Sequence, residues 1–255
     1  VRGVKVVAVN TIREGIRDKV FLNLLLFGVL MIGASVLMGD LSIGQSEKFI
    51  KDIGLAAISL IGVLTAILLS TGLLHRELDR RTVYSVIYRP IPRWHFLLGK
   101  YLGICAIVAL NVAVMNVMFL TLLLIRGYAV QPELFKAIYL TYAEAALMAS
   151  VGTLLSLIFS PTPSVIFTAA IYVAGQMTGE LREMASASQA LASRYIAQAL
   201  YYLLPNLGAL NLRAQAAYGL PIDPLYLLRA SVYAAAYVAL IIALAMWRFE
   251  RRELG

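Results

Sequence analysis

Six stretches of this chain, residues 20–38, 53–74, 97–125, 134–159, 163–179 and 225–247, are apolar and of membrane-spanning length. An apolar helix needs ~20 residues, at a rise of 1.5 Å each, to cross ~30 Å of hydrocarbon. Lipid offers no partner to a backbone N–H or C=O, so such segments satisfy their own hydrogen bonds as helices. The fold class that follows is an all-α polytopic membrane protein with six transmembrane helices in one domain, residues 1–255. Composition excludes an ordinary water-soluble domain: 61% of residues are hydrophobic and 14% charged, against roughly 45–50% and about 25% in soluble domains.

The one long charged stretch lies between the second and third runs. Residues 75–96 read H-R-E-L-D-R-R-T-V-Y-S-V-I-Y-R-P-I-P-R-W-H-F, and residues 75–103 hold six of the 22 Lys and Arg residues. Residues 76–88 have the pattern of a short amphipathic helix: Glu77 stands three and four positions before Arg80 and Arg81, while Val83, Val86 and Ile87 share another face. Arg89 precedes Pro90 and Pro92 follows, so the helix is expected to stop near Tyr88, because proline disfavours helical geometry in the residue before it. An ordinary basic loop beside a membrane would show the same excess of charge.

The order E-x-x-R-R-T, then R-P-I-x-R, then F-L-L-G-K-Y-L-G resembles the coupling segment of ABC-type-2 exporter permeases, and in particular the branch that includes the permease of nitrous-oxide reductase maturation. The N-terminal R-E-x-x-R-D-K and the six-span layout extend the resemblance over most of the chain. The resemblance implies a membrane subunit that docks onto a separate ATPase. Its coupling residues here would be Glu77, Arg80, Arg81, Thr82, Arg89, Pro90 and Arg93. It also implies two ATPase subunits carrying ATP and Mg, a second permease copy, most simply an identical one, and a pathway at the interface between the two permeases. A membrane scaffold or assembly protein without transport is the alternative.

The sequence itself cannot hydrolyse ATP by a P-loop. No GxxxxGK[ST] occurs; around Gly99 and Lys100, Trp94 stands where the first glycine belongs and Tyr101 follows the lysine. The run from Glu144 to Pro161 (E-A-A, then Gly152 and I-F-S-P) has a chance likeness to the docking loop of importer permeases, but that loop is hydrophilic and this stretch is apolar.

Before the first span, Val9, Ile12, Ile16 and Val20 recur at helical spacing, with Arg13, Glu14, Arg17 and Asp18 opposite. Such a helix is expected to lie in the headgroup plane with its apolar face down; the other reading is a basic flank that orients the first span. The opening residues V-R-G-V-K-V-V-A-V-N lack the apolar stretch and cleavage site of a secretory signal. With both termini cytoplasmic in the cell's inner membrane, the inner segments hold 14 of the 22 basic residues, the bias that the positive-inside rule asks for. These charges flank apolar spans, which points to anionic lipid and not to nucleic acid.

Gly99 and Gly103 have the GxxxG spacing that lets two helices touch, while Lys100 between them reads as a residue at the membrane interface. Residues 180–224 contain apolar pieces too short to span, which reads as re-entrant or external half-helices. Glu144 lies ten residues into the fourth run, a depth of ~15 Å. A carboxylate there costs on the order of 2.5–3.5 kcal/mol, so it is expected to face the bundle interior or a pathway, with Asn111 and Asn116 as candidate neighbours. Cys105 is the only cysteine, and His75 and His95 have no ligand-spaced companions, so neither a disulfide nor a metal site is expected.

Overall fold

A computed structural model describes residues 2–40, 45–79, 93–179 and 204–251. Every regular element among these residues is helical: α1 (Arg2–Ile16), α2 (Lys19–Asp40), α3 (Ser46–Asp79), α4 (Arg93–Ile125), α5 (Pro132–Ser156), α6 (Pro161–Gln176), a 3₁₀ turn (Gly208–Leu210), α7 (Arg213–Ala217) and α8 (Pro224–Glu250). Five of them, α2, α3, α4, α5 and α8, are long and apolar enough to cross a membrane. The fifth expected span corresponds to α6, whose 16 residues cover only about 24 Å at the helical rise. It is followed by the turn at Met177.

The helix starts carry the expected local chemistry. Asp18 separates α1 from α2 and accepts the Val20 N–H at 2.8 Å. Asp223 caps α8 by accepting the Leu225 N–H at 2.9 Å, with Pro224 in the first turn, where its missing donor loses nothing. Asp223→Ala is expected to lower stability by ~1 kcal/mol, readable as a fall in thermal midpoint in detergent without change in helical content. The polar gap between the first two apolar runs, residues 39–52, is helical over its second half. Helix α3 already begins at Ser46, and Lys51 pairs with Glu47 at 2.6 Å one turn away.

At the other end α3 runs unbroken through Glu77 to Asp79, and α4 starts at Arg93. Residues 80–92, which carry Arg80, Arg81, Thr82, Arg89 and Pro90, lie outside the described residues, as do the side chains of Glu77 and Arg93.

Helix α3 is the axis of the bundle, packing on α2, α4, α5, α6 and α7. It and α5 are the most buried spans; α2 and α8 are peripheral. The centre is built from Ile58, Ile61, Val63 and Ala66 of α3, Ile107, Val108 and Met115 of α4, and Leu140, Leu147 and Met148 of α5. Outside, Leu22, Leu26, Leu30 and Leu37 of α2 and Leu228, Val232, Leu240 and Leu244 of α8 stand exposed. Rows of exposed aliphatic side chains on the longest helices are what a lipid solvent permits. The chain is a multi-pass membrane protein.

Candidate functional sites

The first constellation lies where α3 ends and α4 begins, at the foot of residues 80–92. Helix α1 packs along the first turns of α4. The contact is close because α4 turns glycines toward it. A Cβ on Gly99 would fall 2.7 Å from the Val7 Cβ and 2.8 Å from the Val4 carbonyl oxygen; one on Gly103 would fall 2.6 Å from the Thr11 Cβ and 3.0 Å from the Ala8 carbonyl oxygen. Gly15 of α1 repays the approach by making room for Ile107. The face that α1 gives to the protein is therefore the stripe Val4, Ala8, Thr11, Gly15. The aliphatic stripe singled out from the sequence points elsewhere: Val9, Ile16 and Val20 are exposed, as are Arg13 and Arg17.

Glu14 sits at the edge of this seam and reaches Lys100, Nζ to Oε2 at 3.4 Å. Lys100 is 1% exposed. It is thus not free to snorkel, as its flanks suggest, but is enclosed between two helices. A second cluster continues the seam: Phe96 and Leu97 of α4, Leu157 after α5, and Ala245 and Phe249 of α8 enclose Val7 of α1. The Phe96 and Phe249 rings stack with centroids 6.1 Å apart. Four elements are joined at the point from which residues 80–92 leave.

The second constellation surrounds Glu144, which is 1% exposed at the middle of α5. Its hydrogen-bond partner is Gln176, the last residue of α6, whose Nε2 donates to Oε1. The Gln176 side-chain Oε1 in turn accepts from Asn211 Nδ2 at 3.4 Å, and Asn211 Oδ1 accepts from Arg213 Nε at 2.8 Å. A carboxylate is so connected, through two amides, to a guanidinium.

The segment that brings Asn211 and Arg213 is tied down at several points. Leu207 N–H donates to the Gly175 carbonyl at 3.1 Å, closing the chain on the end of α6. Asn206 accepts from Thr178 Oγ1 at 2.9 Å and its N–H donates to Tyr233 OH at 2.8 Å. Tyr226 OH donates to the Ala209 carbonyl at 2.7 Å. Farther on, the Ile222 carbonyl accepts from Lys136 Nζ at 3.0 Å. Lys136 and Glu144 are eight residues apart on α5, about 12 Å along its axis. The segment therefore runs down the flank of α5 from the level of Lys136 to that of Glu144, with Leu207, Leu210, Leu212, Ala216 and Ala217 buried. Residues 180–203, the rest of the expected half-helical stretch, lie outside the described residues.

The expected companions of Glu144 are elsewhere. Asn111 donates from Nδ2 to Thr65 Oγ1 at 3.3 Å, between α4 and α3, and the Oδ1 atoms of Asn111 and Asn116 are buried without a hydrogen-bond partner among the described residues. The residues that do meet Glu144 were not singled out: Gln176 closes a span and Asn211 sits in a broken apolar piece, positions with no periodic signal. Among the described residues no group of three His, Cys, Asp or Glu side chains is arranged to hold a metal.

The sequence model of one family, described as ABC-2 family transporter protein, matches residues 6–254. No curated protein matches the chain.

Proposed function

The chain belongs to the ABC-2 transporter family, and on that premise we propose that it is the permease subunit of an ATP-driven exporter, coupled to separate ATPase subunits through residues 75–96. The observation that carries this reading is the α1–α4 seam. Residues 80–92 enter α4 at Arg93, and within three turns α4 is fastened to α1 through Gly99, Lys100 and Gly103 and to α8 through Phe96. A push delivered to residues 80–92 would move those helices together. Close-packed helices transmit displacement because they cannot absorb it.

In this reading Arg80, Arg81, Arg89 and Arg93 anchor the ATPase, Glu77 steadies the helix, and Thr82 and Pro90 shape its two ends. The exposed Arg13 and Arg17 of α1 face the same partner or its lipid surround. Two ATPase subunits supply ATP and Mg, a second copy of the chain completes the pathway, and both termini lie on the cytoplasmic side of the inner membrane. Glu144 belongs to the half of the bundle that the ATPases do not touch. The narrower likeness to the nitrous-oxide reductase maturation branch rests on the coupling-segment motifs, the N-terminal R-E-x-x-R-D-K and the span layout.

Mild-detergent affinity purification of the chain from its native membrane, with mass spectrometry of what stays bound, tests the reading. A stoichiometric P-loop ATPase is expected, and Arg80→Glu with Arg81→Glu is expected to remove it while the permease still folds. If wild-type chain brings down no ATPase even after ATP trapping, the scaffold alternative takes its place.

A further inference from the structure

Arg213 is half-buried on the flank of α5 and is held in an unusual way. Its Nε donates to Asn211 Oδ1 at 2.8 Å, and its backbone N–H leans on the same oxygen at 3.4 Å. Among the described residues its two terminal nitrogens donate no hydrogen bond, and no carboxylate lies within ion-pair distance of it. Glu144 is buried and bonded to Gln176, not to the guanidinium. The guanidinium is thus fixed at one edge and open at the other. That open edge is a two-pronged donor of the spacing that phosphate and carboxylate oxygens match.

Its surroundings are mixed. Gln176 and Asn211 are half-exposed beside it, and Tyr172 lies one turn before Gln176 on α6. Val173 of the same helix and Met177, in the turn that follows it, are 58% and 46% exposed. A polar fork next to exposed aliphatic side chains matches a molecule with an acidic head and an apolar tail. A charged side chain held along a membrane helix away from its end is expensive unless it has a partner.

We propose that Arg213, oriented by Asn211, is a binding site for the acidic head group of an amphiphile, with Gln176 beside the head and Val173 and Met177 along the tail. The site rests on the permease reading only in that the amphiphile is then a candidate cargo.

The test uses the purified full chain in neutral detergent, with dodecyl phosphate as probe and dodecyl phosphocholine, which has the same tail and no net charge, as control. Native mass spectrometry or calorimetry is expected to give dodecyl phosphate about tenfold tighter binding, a difference typical of one charge-assisted contact. Arg213→Gln is expected to erase the difference, and Arg213→Lys to restore only part of it, because an ammonium cannot make the fork. Should Arg213→Gln fail to fold, Asn211→Ala keeps the charge, frees the fork and is expected to weaken the probe by about threefold. Equal affinity for the two probes, or unchanged binding by Arg213→Gln, overturns the site. Displacement of the probe by inorganic phosphate at equal concentration overturns its assignment to an amphiphile. No ATPase enters the assay, so a negative result leaves the permease reading standing, and loss of the ATPase in a pull-down leaves this site standing.

Discussion

Gly103→Leu is expected to lift α1 off α4 while leaving the rest of the bundle folded. A Cβ at this position meets the Thr11 Cβ at 2.6 Å and the Ala8 carbonyl oxygen at 3.0 Å. Backbone cannot rotate away as a side chain can, so the helices themselves have to separate. Overpacking of this kind costs about 1–3 kcal/mol, and here separation also stretches the Lys100–Glu14 pair, whose lysine is buried. Amide hydrogen exchange reads the outcome directly. Protection of α1 is expected to fall by about tenfold to a hundredfold, the equivalent of the same energy, with α3 and α5 unchanged. Reconstituted with its ATPase, the variant is expected to keep basal hydrolysis and lose stimulation. Unchanged α1 protection would mean that the seam yields without cost and cannot act as a link. Gly103→Ala, with three fewer carbons, is expected to show the same effect in smaller measure.

This seam also shows what the sequence could and could not convey. The GxxxG spacing at Gly99 and Gly103 announces a helix face that another helix can approach, but nothing in the spacing says which one. On α1, hydropathy draws the eye to Val9, Ile12 and Ile16, of which only Ile12 packs on the core, whereas the face laid against α4 is Val4, Ala8, Thr11 and Gly15. Small residues have little hydrophobicity to report and gain their value from the backbone contacts they allow. The long spans were legible because their length and apolarity answer to one solvent requirement. The start of α3 was not, because Glu47, Lys48, Lys51 and Asp52 look like a loop while the Glu47–Lys51 pair sustains a helix turn outside the apolar run. Glu144 was legible as a residue in need of a partner. Its partner was not, since Gln176 is 32 positions away and Asn211 a further 35, and pairings at that separation leave no local pattern.

The second large effect is expected at that pairing. Gln176→Leu removes the amide that donates to Glu144 and links it to Asn211, while the leucine fills much of the same volume. The carboxylate then stays buried with its hydrogen bond unmade. Leaving a buried polar group unsatisfied costs about 1–3 kcal/mol, and more for a charged one. A loss of about 1–3 kcal/mol is therefore expected in detergent unfolding, with the segment around Asn211 losing exchange protection first because one of its ties to α6 is cut. Removing the need together with the partner has the opposite sign. Glu144→Leu combined with Gln176→Leu leaves no orphaned charge, and apolar replacement of both members of a buried polar pair is often close to neutral. The double variant is expected to be more stable than Gln176→Leu alone, so the two substitutions are strongly non-additive. Additive losses would show that Glu144 and Gln176 do not depend on each other. Because Gln176 stands beside the proposed head-group site and holds Asn211, the double variant also separates stability from recognition: it is expected to fold well and to bind an anionic probe more weakly. Such non-additivity would show that Glu144 and Gln176 act as a unit whose members need each other, without the pair itself having to add net stability.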